Sequence, residues 1–155
     1  MHAARKLALD LSAKISTDGT ELPRLTFIAG ASSWELGDEI EGTELLKTAL
    51  TQARKANDDA LQARIRLFLL ERVSATEEPY RASLPVCAET VRAVRKSGDK
   101  NVLAEAHVVF ARLEARNGAL QVAHRHLNRA DRILADVSNR WLSASVRLTS
   151  RTRKN

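Results

Sequence analysis

The chain has 155 residues, of which 44% are apolar, 28% charged and only 4% aromatic, with a single cysteine and a net charge of +6. That length suits one ordinary domain able to bury roughly 70% of its unfolded surface, and the apolar content argues against a disordered chain. The charge is uneven: residues 1–99 carry 14 Lys/Arg against 15 Asp/Glu, whereas residues 100–155 carry 11 against 4.

Residues 3–15 (Ala3 to Ile15) read as one amphipathic helix, the second half of a repeat whose first half is absent. Charges in this stretch occupy the place where a secretory leader needs an apolar run. No run in the chain is long enough to span a bilayer, and one cysteine, Cys87, forms no internal disulfide. The expected location is therefore cytoplasmic. Three helix hairpins follow, over about 22–57, 58–99 and 100–138, and a partial repeat occupies 139–155. The half-repeat is taken as 1–18. The small residues Ala49, Thr90 and Ala130 recur at spacings of 41 and 40, each trailed by a turn signal: Asn57-Asp58, Gly98-Asp99 and Ser138-Asn139. Self-similarity at this period is the mark of a stacked helical array.

The third hairpin is the most regular. Ala104, Val108, Ala111 and neighbouring apolar residues recur at helical steps, Asn117-Gly118 breaks the pattern, and Leu120, Ala123, Leu127, Ala130 and Leu134 follow at steps of 3, 4, 3 and 4. Such a short turn predicts two antiparallel helices. In the second hairpin the first helix, about Ala60 to Val73, has Ala63, Leu67, Phe68 and Leu70 but no small residue at the close-packing site. Pro85 suits a first turn, so its second helix is predicted to start near Ser83.

Ala111, Gly118, Ala123, Leu127 and Ala130 stand at spacings of 7, 5, 4 and 3, and Gly30, Gly37, Gly42, Leu46 and Ala49 repeat that ladder. This pattern resembles the tetratricopeptide repeat, whose small residues let neighbouring helices approach while a bulky residue fills the space beside them. The resemblance implies an all-α, right-handed α-solenoid of antiparallel helix hairpins, with about seven helices plus a partial terminal helix, in one domain spanning 1–155. It resembles the stretched, roughly 40-residue arrays of large bacterial signalling proteins. An array that starts and stops mid-repeat is expected to be a fragment of a longer one, with apolar strips at its ends (Leu7, Leu9 and Leu11; Trp141 and Leu142) that promote self-association.

No catalytic, metal or cofactor-binding residue is expected. Ser32 and Ser33 lack a nucleophile elbow, Cys87 reads as a buried inert thiol, and no phosphate-binding loop is present. His124 and His126, two apart on a helix, point to different faces and are placed at the surface, while His107 is placed in a helix–helix contact. The resemblance puts ligands on the inner groove, where Arg24, Phe27, Trp34, Glu105, Arg112 and Arg116 are the candidate contacts for a protein or peptide. Phe27 and Trp34 also suit packing between repeats. The expected function is a non-enzymatic interaction or scaffold module, the sensor or partner-binding part of a bacterial signalling or transcriptional regulatory protein. The alternative is nucleic-acid association through the basic C-terminal third, where Arg125, Arg129 and Arg132 share one helix face. The simpler reading of that face is a solvated surface, and aromatic residues for stacking bases are missing from the region except for Trp141.

Overall fold

The computed structural model describes residues 21–73 and 80–136. Every element there is a helix: α1 (Leu22–Glu35), α2 (Glu39–Lys55), α3 (Asp59–Val73), α4 (Tyr80–Ser97), α5 (Lys100–Arg116) and α6 (Leu120–Ala135). The half-repeat 1–18, the turn at Ser138-Asn139 and the partial repeat 139–155 lie outside the described residues. Two compact units, Met1–Phe68 and Leu69–Asn155, divide the chain within α3.

The helix ends share one construction. Gly37, Asn57, Gly98 and Gly118 all have positive φ, and the members of each pair, 37 with 57 and 98 with 118, are twenty residues apart. At Gly37 the amides of residues 37 and 38 turn back to the carbonyls of Trp34 and Ser33, at 3.0 and 2.9 Å. Asn57-Asp58 and Gly118-Ala119 repeat that pair of bonds onto Arg54 and Ala53, and onto Ala115 and Glu114. These are Schellman closures, which satisfy carbonyls at the end of a helix and need a left-handed residue. In three of the four turns the next residue is an aspartate that begins the following helix. Asp38 accepts from the Glu41 amide at 3.2 Å, Asp58 from Leu61 at 2.9 Å, and Asp99 from Asn101 at 2.8 Å. Each Gly/Asn-Asp dipeptide thus ends one helix and caps the next.

In the first unit α1 and α2 pack through their glycines. A Cβ on Gly30 would lie 3.0 Å from side-chain atoms of both Leu45 and Leu46. On Gly42 it would run into the Trp34 indole and lie 3.0 Å from the Gly30 carbonyl oxygen. Leu46, Ala49 and Ala53 are fully buried beside this crossing. Ser33 is fully buried as well, and its hydroxyl reaches a Glu41 carboxylate oxygen at 3.3 Å. In α3, Leu61, Ala63, Ile65 and Leu67 are all buried. Steps of two residues put them on opposite sides of the helix, so α3 has no single apolar stripe.

In the second unit α5 and α6 form a hairpin around Ala104, Val108, Ala111, Ala123, Leu127, Ala130 and Leu134, and α4 packs against α5. Ala49, Thr90 and Ala130, the positions that repeat in the sequence, each have no exposed surface. Two expectations are corrected. α4 begins at Tyr80 rather than near Ser83, so Pro85 is its sixth residue instead of lying in the first turn. Cys87 is half-buried, not fully enclosed.

The glycine crossing gives a direct test. Alanine favours a helix over glycine by about 1 kcal/mol, yet at position 42 its methyl group must displace the Trp34 ring. Gly42→Ala should therefore destabilise the protein by about 1–2 kcal/mol in urea denaturation, because overpacking outweighs the propensity gain.

Candidate interaction surface

The pattern of α6 sets its two faces. Ala123, Leu127, Ala130 and Leu134 are buried against α5, which turns Arg125, Arg129 and Arg132 outward, all of them exposed. At steps of four and three residues the three guanidinium groups form one row along the helix. Among the described residues none of them has an ion-pair partner.

At the edge of this row lies a histidine pair. His107 of α5 and His126 of α6 bring their Nδ1 atoms to 3.0 Å, with ring centroids 5.2 Å apart, and Phe110 packs 5.8 Å from the His126 ring. A bond between two like nitrogens requires one ring to donate an N–H and the other to accept with its lone pair, so the pair is bonded when neutral. Burial, then the neighbouring His126 and Arg129, push the His107 pKa down to about 4. Burial and the Arg129 charge also lower that of His126; Glu114 opposes this and Arg125 adds to it. The surface position expected for His126 is therefore corrected. His124 is exposed, but His126 stands next to Leu127 at the margin of the apolar stripe and turns into the seam. Among the described residues no group of three or more His, Cys, Asp or Glu side chains could hold a metal ion.

The residues expected in the groove make contacts inside the chain. Arg112 donates to a Glu71 carboxylate oxygen at 2.8 Å, and Arg116 donates to the Glu71 backbone carbonyl at 3.3 Å. Glu71 stands in the last turn of α3, where carbonyls lack helical partners and a positive charge is favoured. The i, i+4 arginine pair thus completes the end of another helix. Phe27 stacks edge-on against Phe68, at 6.1 Å between centroids and 88° between planes. Trp34 covers Gly42, and its indole N–H donates to the Thr43 hydroxyl at 3.2 Å. Arg24 is exposed and lies 3.7 Å from Asp58 and 3.8 Å from Glu21. Glu105 is half-buried on α5.

One exposed residue is not singled out by the sequence pattern. Ile40, in the first turn of α2, is 84% exposed and sits in the run Asp38-Glu39-Ile40-Glu41. Its only signal in the sequence is a β-branched apolar residue among carboxylates.

No protein-family model matches this chain, and neither does any curated protein or solved structure. Among the described residues no helix is long and apolar enough to cross a membrane.

Two outcomes follow from these contacts. Unfolded, His107 takes up its proton near its ordinary value of 6.5; folded, it does so near 4. The unfolded chain therefore binds more protons between these values, and stability falls as pH drops from 6.5 towards 4, then levels off. His107→Gln should flatten that part of the difference between variant and wild type in urea titrations run across the window. Arg112 and Glu71 have side chains 39% and 20% exposed, so solvent screens their pairing. A double-mutant cycle with Arg112→Ala and Glu71→Ala should give a coupling of about 0.5–1 kcal/mol.

Proposed function

We propose that this chain is a non-enzymatic protein-interaction module, built as a right-handed solenoid of tetratricopeptide-like hairpins. It would serve as the sensor or partner-binding part of a bacterial signalling or transcriptional regulatory protein. One observation carries the reading: the hairpins α1–α2 and α5–α6 both turn at a left-handed glycine, Gly37 and Gly118, 81 residues or two repeats apart, with small buried residues at each crossing. Hairpins of one length and one turn geometry stack in series, and stacking produces an extended surface of outward side chains suited to recognition.

The exposed row Arg125, Arg129 and Arg132 lends some support to a second reading, nucleic-acid binding. Contacts of this kind to phosphates would be independent of sequence and steeply salt-dependent. Exposed aromatic rings for stacking bases are missing from α6, which disfavours that reading.

Selection of a displayed random-peptide library on the full chain separates the two. The interaction module should enrich peptides that share a motif and bind in solution at moderate salt. Failure to enrich any motif, together with salt-sensitive binding of a labelled random-sequence oligonucleotide, would overturn it. X-ray scattering in solution tests the architecture, since a stacked array gives an elongated profile.

A further inference from the structure

We propose that the α6 arginine row docks the acidic corner between α1 and α2 of a second copy of this chain. The inference rests on the interaction-module reading and names its partner. Arg125, Arg129 and Arg132 are exposed and without ion pairs among the described residues. Around the other hairpin turn, residues 35–44 contain Glu35, Asp38, Glu39, Glu41 and Glu44 and not one Lys or Arg. Asp38, Glu39 and Glu44 are exposed there, Glu44 beside Lys47 at 2.8 Å in a solvent-screened pair that an arginine can replace.

Ile40 lies in the middle of this corner, 84% exposed, with Glu44 one helical turn beyond it. An apolar side chain in that position gains nothing for the isolated hairpin. Arginine answers both features of the corner: its guanidinium pairs with carboxylates through two parallel hydrogen bonds, and its methylene stem covers apolar surface. The row of guanidinium groups on α6 can thus meet the exposed carboxylates of Asp38, Glu39 and Glu44 that surround Ile40. The charge of the chain is divided in the same sense, with its excess of basic residues in 100–155. Row and corner are different patches, so the contact is heterologous and adds copies in series or closes a ring.

Sedimentation velocity on the full chain tests the proposal, at about 20 mM and about 300 mM salt. The wild type should gain mass with concentration at low salt and lose that gain at high salt. Arg125→Glu with Arg129→Glu reverses the row; Glu39→Arg with Glu44→Arg reverses the corner. Each variant alone should remain monomeric with unchanged helical circular dichroism, and an equimolar mixture of the two should associate again, because a reversed row then meets a reversed corner. Ile40→Ser should weaken the association several-fold. A wild type that is monomeric throughout, association that persists in either variant, a mixture that stays monomeric, or an unaffected Ile40→Ser chain would each overturn the proposal. Salt-sensitive oligonucleotide binding by a monomeric wild type, lost on reversing the row, would assign the arginines to nucleic acid instead. The peptide selection does not depend on self-association, so the broader reading can survive the failure of this one.

Discussion

A left-handed residue at the end of one helix, followed at once by the cap of the next, sets the described hairpins. Because the closing residue and the capping residue are adjacent, the chain has little slack between helices and must change direction sharply. Gly37-Asp38, Asn57-Asp58 and Gly98-Asp99 meet this demand with both residue types. Gly118-Ala119 meets it without a side-chain cap, leaving the backbone closure alone to hold the turn. Asn57 adopts the left-handed conformation where glycine stands in the other turns, as its short polar side chain allows.

Once the helices are antiparallel, their separation depends on what stands at the crossing. In the first hairpin Gly30 and Gly42 bring the backbones close, and the Trp34 ring fills the space that a side chain at 42 would take. Alanines serve at the corresponding places of α5 and α6. α3 obeys a different rule, with buried residues, the fully buried Ala63 among them, on opposite sides of the helix. The irregular pattern of this helix in the sequence therefore goes with burial on more than one side.

Packing of this kind also governs the distribution of charge. Arg112 and Arg116 look like recognition residues until the end of α3 is placed beside them, where Glu71 takes both. Arg125, Arg129 and Arg132 have the same spacing along a helix but lie on the side turned away from its neighbour. Identical local patterns thus reach opposite fates, and the difference lies in what stands opposite each helix face. His107 and His126 illustrate the same point: nineteen residues apart in the chain, they share one hydrogen bond only because α5 and α6 are antiparallel and in this register.

The amino-acid sequence by itself determined the helices, their turns and the buried ladder. Periodicity, glycine and aspartate act over a few residues, so Gly37, Gly118, Ala49, Ala111, Ala123, Leu127 and Ala130 were legible without any partner. The start of α4 was not, because Pro85 marks a preference for the first turn and the fold places it in the second. Tertiary structure alone decided which charges pair, that His126 turns inward, that Trp34 lies over Gly42, and that Ile40 stands bare among carboxylates. Those outcomes depend on groups from separate helices meeting in space, and a helix's own residue pattern shows which faces it has without showing what each face will meet.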